Sequence, residues 1–198
     1  MKRKRIKAAV CAAVMAFTLF GSVCPVDHHF MRETSVTASA EAAIWDGTED
    51  TSWYYREHDV VVSENGERIA IFNIRTAEEL AGLAKLVRNG NNMKNTMINL
   101  VSDVTLNDTT NFDNWDEQPP ANNWTAIGAV PIEAPNVNVV MTIQPECRNT
   151  VFAGMFNGNG HTISGIYSLH HNYAGLFART SGIITNVIVK DSYIQCIN

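Results

Sequence analysis

Over the second half of the chain, apolar and polar positions alternate in short runs that glycine and asparagine interrupt. Residues 152–178 read FAGMFNGNGHTISGIYSLHHNYAGLFA. Gly154, Gly158 and Gly160 punctuate the first part, with Asn157 and Asn159 between them. Glycine reaches positive φ without steric cost and asparagine tolerates it better than most residues. The two Asn-Gly pairs therefore predict a tight turn between strands. Ile163 and Tyr167 follow at even offsets, residues 168–172 form a new turn region, and Gly175-Leu176-Phe177-Ala178 comes next. Gly182 then precedes Ile183, Ile184, Val187, Ile188 and Val189. Short β-branched runs separated by ~8–12 residues are the spacing of a repeating β architecture.

Upstream the pattern changes. Residues 59–62 and 67–74 bracket Glu64-Asn65-Gly66, which predicts a hairpin or two short strands. Ile69, Ile71 and Asn73 share one face of the second run, while Ala70, Phe72 and Ile74 share the other. Apolar side chains on both faces predict burial on both sides. Over residues 76–87 the period becomes helical. Leu80, Leu83, Ala84 and Val87 fall on one face at i, i+3, i+4 and i+7. Thr76 with Glu79 has the capping-box spacing, acidic residues open the helix, and Lys85 and Arg88 close it before Asn89-Gly90. Strands are expected again at 96–101 and 104–106. Residues 107–123 are polar and hold Pro119-Pro120, so they read as a loop. Residues 131–148 read as a second insertion, with Pro131, Pro135 and Pro145 and a strand expected over 137–143.

From Phe152 to Gly165 the motif Phe-x-Gly-x-Phe-x-Gly-Asn-Gly-His-Thr-Ile-x-Gly, followed by Gly175-Leu176-Phe177, resembles the GLUG-repeat family of bacterial surface proteins. The second motif ends on Ala178, where the family favours glycine. The resemblance extends upstream through the helix, an Asn-Gly turn, two strands and Trp124-Thr125-Ala126-Ile127-Gly128. It covers roughly residues 45–194. It implies an all-β fold, a right-handed parallel β-helix (β-solenoid) with an N-terminal capping α-helix over residues 76–90. Inward positions would include Ile98, Leu100, Ile127, Phe156, Ile163, Leu176, Ile183, Val187 and Val189. Residues 41–75 would be an aromatic and strand segment. Residues 91–198 would be coils with two loop insertions, the chain ending before its array does. The mature N-terminal aromatics, from Trp45 to Tyr55, suit either a sugar-stacking platform or packing over the end of the stack. Similar Trp-Asp-Gly-Thr openings in the family favour packing.

Residues 1–40 have the pattern of a secretory signal peptide. Lys2, Arg3, Lys4, Arg5 and Lys7 precede an apolar run over 8–23, and Ala38-Ser39-Ala40 offers a small-x-small cleavage site. The competing reading is an uncleaved membrane anchor. This segment carries six of the fifteen Lys/Arg and two of the twenty Asp/Glu. Residues 41–198 therefore hold nine basic and eighteen acidic residues, a net charge of −9. That balance argues against nucleic acid or an anionic membrane as partner of the mature form. With 45% apolar and 18% charged residues, the chain has the composition of a globular domain. Cys11 and Cys24 would leave with the leader. Cys147 and Cys196 remain, as a pair or as two thiols, and two cysteines are not a disulfide framework.

Candidate chemistry is sparse. Asp108, Asp113, Asp116 and Glu117 put carboxylates on the 107–123 loop, and paired carboxylates are what glycosidic cleavage requires. They do not alternate on adjacent strands, and they lack the spacing of a calcium loop. His161 lies inside the turn motif. His170 and His171 are adjacent and would point to opposite faces of a strand. The sequence thus assigns no catalytic, cofactor-binding or metal residue and no cofactor. It favours an exported cell-surface or adhesin-like module that presents loops to an extracellular glycan or protein. The second reading is a carbohydrate-active β-helix, or an accessory domain of a larger secreted enzyme such as a peptidase. The oligomeric state stays open.

Overall fold

The structure is a computed structural model of the chain and describes residues 43–129, 150–170 and 173–196. The leader pattern over 1–40, the strand expected at 137–143, Cys147 and His171 lie outside the described residues.

A hairpin opens the first sheet. Strands β1 (Asp59–Val62) and β2 (Arg68–Ile74) pair antiparallel, with Val61 opposite Ile69. The turn closes where Gly66 donates its N–H to the Ser63 carbonyl. Every later pairing among the described residues is parallel. β2 pairs with β3 (Thr96–Leu100), β3 with β5 (Met155–Asn157), and β5 with β8 (Ile183–Thr185). A second sheet runs β4 (Val104–Thr105), β6 (Thr162–Ser164), β9 (Ile188–Lys190). A third pairs β7 (Tyr167–His170) with β10 (Tyr193–Cys196). The Asn-Gly corner predicted at 157–160 joins β5 to β6. There Asn159 and Gly160 adopt φ of 50° and 78°. The two strands do not pair with each other. Each joins a different sheet, so the corner redirects the chain instead of closing a hairpin.

The helix forms where its pattern predicts. α1 spans Ala77–Arg88, and the Thr76 hydroxyl accepts the Glu79 N–H at 3.2 Å. Glu79 reaches back one residue further than a standard capping box, accepting the Arg75 N–H at 2.7 Å. Leu80, Leu83, Ala84 and Val87 are all buried. So are Ala81, Gly82 and Leu86, because α1 is covered on its other side as well. The Asp50 N–H bonds the Glu78 carbonyl at 2.9 Å, and a Cβ on Gly82 would lie 1.9 Å from the Asp50 carbonyl oxygen. Trp53 buries its ring beside Phe72 and donates to the Glu79 carbonyl at 3.0 Å. Trp45 and Trp53 therefore pack down while Tyr55 stays exposed, and α1 is an interior element.

The core runs through the sheets in columns that the register defines. Phe72, Ile98, Phe156 and Ile184 are consecutive partners, as are Val104, Ile163 and Val189. Ile98, Leu100, Ile127, Phe156, Ile163 and Leu176 are buried as expected, and Val187 is half-buried against the same cluster. Ile183 and Val189 are exposed. Ile183 pairs with Met155 on the outward face, so Ile184 takes the inward position instead. Val189 keeps the inward column but lies on the last strand of its sheet. On the outward face an amide row follows the register. Asn99 donates to Asn73 at 3.3 Å and Asn157 to Asn99 at 3.5 Å, while Asn186, outside the strand, donates to Asn157 at 3.1 Å. Where one strand stacks on another, the backbones come close. A Cβ on Gly182 would meet the Gly154 carbonyl oxygen at 1.9 Å, so only glycine fits there.

These observations correct the expected fold class. The chain is not an all-β, right-handed parallel β-helix. Its largest sheet is mixed, with an antiparallel edge, and a twelve-residue helix supplies much of the core. The strands divide among three sheets, and no closed solenoid is formed among the described residues. The physical reason is that Gly-Asn corners and period-two runs report local parallel stacking only. They carry no information about closure, or about the antiparallel hairpin and helix that precede them.

Candidate functional site

The 107–123 loop builds the larger concave feature. Asn107 anchors its base. Its buried amide donates to the carbonyls of Asn122 (2.9 Å) and Gly165 (3.0 Å), and its oxygen accepts the Asn122 N–H at 3.0 Å. Asn122 in turn donates to the Trp45 carbonyl at 2.7 Å. This pair ties the loop to the N-terminal segment and to the 165 corner. Within the loop a short 3-10 segment, Thr109–Asn114, is capped by Asp108, whose carboxylate accepts the Thr110 N–H at 3.0 Å. Trp115 is buried edge-on against Tyr167, with ring centroids 5.9 Å apart.

A cleft of about 420 Å³ lies between the loop and residues 44–45. Trp45 and Trp115 form its apolar floor, Pro119 and Pro120 one wall, and Asn111 and Gln118 its polar lip. Asn111 donates to Gln118 at 3.1 Å and accepts from Asn114 at 2.6 Å. The lip is thus a chain of amides, each with spare donor or acceptor capacity facing solvent. Trp45 is fixed by its indole N–H to the Thr48 carbonyl at 2.7 Å and by an edge contact with Trp124. The Trp45 ring is buried, so it offers an edge and not an open stacking face.

The four loop carboxylates do not converge. Asp108 lines the cleft, while Asp113, Asp116 and Glu117 are exposed elsewhere on the loop. Bonds from Thr110, the backbone N–H first, hold the Asp108 carboxyl below the usual carboxylate range. It is a charged acceptor and not a proton donor at neutral pH. Glycosidic cleavage requires two carboxylates flanking one bond, and this cleft brings one. His161 Nδ1 lies 3.1 Å from Asp103 Oδ1, which also accepts the Thr162 N–H at 2.9 Å, so the histidine belongs to the corner between sheets. His170 Nδ1 accepts the Tyr173 N–H at 3.3 Å. Cys196 is an exposed free thiol on β10. Among the described residues, no three His, Cys, Asp or Glu side chains assemble as metal ligands, and no helix is long and apolar enough to cross a membrane.

A second cleft, of about 290 Å³, lies beside the hairpin, lined by Trp53, Arg56, His58, Phe72, Asn73 and Arg75 among others. The His58 ring lies on Phe72 at 4.4 Å, and Arg56 is tied to Glu79 at 3.1 Å. Sequence reasoning did not single out Asn107, Asn122 or His58. Two asparagines fifteen positions apart in a polar loop leave no periodic signal, and His58 gains meaning only once Phe72 lies beneath it.

No family model, curated protein or solved structure matches the chain.

Proposed function

We propose that the protein is an exported bacterial cell-surface or adhesin-like module that binds an extracellular glycan or protein through its loops, without catalysis of its own. The observation that carries this reading is the 107–123 cleft. An amide lip, one ionised carboxylate and an apolar floor form a surface suited to hydroxyl groups on a partly apolar ring, and a rigid sheet scaffold holds it. The leader pattern in residues 1–40 and the GLUG-like motif at 152–165 support the cellular address. Titrating the purified protein with a panel of neutral and acidic oligosaccharides tests the ligand. The expected result is saturable binding to at least one member, weakened at least tenfold by Asn111→Ala with Gln118→Ala, with an unchanged far-UV spectrum. Binding that survives the double substitution would take the ligand away from this cleft. Fractionation of the native cells tests export, and an intracellular pool carrying an intact leader would overturn that part.

A further inference from the structure

The 107–123 cleft has a one-sided charge. Among the described residues that line it, Asp108 is the only ionisable one. The sequence holds no Lys, Arg or His between residues 95 and 147, and the loop's other charges, Asp113, Asp116 and Glu117, are acidic as well. Among the described residues Asp108 meets no cation. Thr110 bonds it, through its backbone N–H at 3.0 Å and through its hydroxyl. A carboxylate has about four acceptor sites, so roughly two stay open. Gln118 accepts from Asn111 and keeps its own N–H groups unengaged among the described residues. Ile44, 52% exposed, adds an open apolar surface to the lining. Hydroxyl groups, each both donor and acceptor, suit such a mixed lip. No lining residue belongs to a strand, so the cleft offers no backbone ladder to an extended peptide.

We infer that the cleft selects its glycan by charge: it prefers sugars that carry a free amine, takes neutral sugars less tightly and rejects acidic ones, with Asp108 as the selecting residue. This rests on the reading of the cleft as a glycan site. An ammonium group on the sugar ring gives Asp108 a charge-assisted partner that a hydroxyl does not match. A uronate or sulfate brings a like charge into a lining with no cation to receive it. The net −9 of residues 41–198 adds to that repulsion at longer range.

Calorimetric titration of the full chain with matched tetrasaccharides tests this. Each set has one backbone (glucose, galactose or mannose) in neutral, 2-amino and 6-carboxylate forms. At about pH 6 the amine is protonated and Asp108 is ionised. Within a set that binds, the amino form should bind about tenfold more tightly than the neutral one, and the acidic form at least about tenfold more weakly. Raising salt to about 0.5 M should compress the series. Asp108→Asn keeps an oxygen for the Thr110 N–H and should bring the amino and neutral forms within about twofold of each other. Asp113→Asn, outside the cleft lining, should leave the order unchanged. Circular dichroism checks folding, and should Asp108→Asn fail to fold, the salt series on the wild type reads the same charge. Equal binding of the three forms, or an order that survives Asp108→Asn, would overturn the inference. The cleft would remain the glycan site in that case if Asn111→Ala with Gln118→Ala still weakens binding. Binding of no member of any set would remove the glycan reading and this inference with it. Tetralysine competing as well as the amino form would move the partner to a basic peptide and overturn the sugar assignment.

Discussion

At the residue scale, the acid limb of stability is written in single carboxylates. Asp103 is held below the usual carboxylate range chiefly by the Thr162 N–H; slight burial opposes this, while His161 and Lys190 assist. Asp46, through Thr48, and Asp50, through Ser52, are shifted the same way by bonds within two positions of the chain. A depressed folded value means the unfolded chain binds the proton first. The stability from each group is complete above the unfolded value, near pH 3.9 for aspartate, and is lost as pH falls through the folded one. The urea midpoint should therefore fall on acidification below about pH 4. Asp103→Asn keeps an oxygen for the Thr162 N–H but does not titrate, so its midpoint should fall less steeply over that interval. An identical slope in wild type and Asp103→Asn would assign the acid limb to the other depressed carboxyl groups, Glu49 among them. Asp103 bridges β4 and β6, two strands about sixty positions apart in sequence, so its protonation acts on a long-range contact.

At the element scale, α1 depends on its first turn. Thr76→Ala removes the acceptor for the Glu79 N–H and should cost about 1 kcal/mol. Glu79→Ala should cost more, because the buried carboxylate also holds the Arg75 N–H and the Arg56 guanidinium. Urea midpoints of the two variants check the order, and equal losses would mean that the Arg75 and Arg56 bonds together weigh no more than the Thr76 cap. This helix was legible in the sequence almost to the residue, since cap, apolar face and glycine stop agree. The hairpin at 63–67 was one of the two readings that Glu64-Asn65-Gly66 allowed, and the β1–β2 pairing selects it. The last strands were less legible. Ile183 and Ile184 are adjacent, the strand is three residues long, and the one polar cue is Thr185, which shares the outward face with Ile183. The pairing of Ile184 with the buried Phe156 decides which of the two faces inward. The sheet plan was misread for a related reason. Repeated corners report stacking of neighbours, whereas division into three sheets and an antiparallel margin depend on partners far along the chain. The cleft was half visible: its loop and Asp108 stood out, but the Asn107–Asn122 anchor arises only on folding.

At the scale of the whole molecule, the pairings are non-local and the tryptophans report on them. Ile98 meets Phe156 fifty-eight positions away, and Val104 meets Ile163 fifty-nine away. No strand of β3 or β4 can gain its second neighbour until the intervening loops are closed. Trp45, Trp53 and Trp124 belong to one cluster that also contains α1 residues and the columns of the first two sheets, while Trp115 lies under the 107–123 loop against Tyr167. All four are buried. If this core is one cooperative unit, urea should move tryptophan emission and the far-UV signal through a single shared midpoint. Trp115→Phe separates the contributions. Loss of an early fluorescence step in that variant would show the loop opening ahead of the core, so the candidate cleft could be lost while the sheets stand. A shared midpoint in both proteins would tie the cleft to the core, and ligand binding would then stabilise the whole fold and not the loop alone.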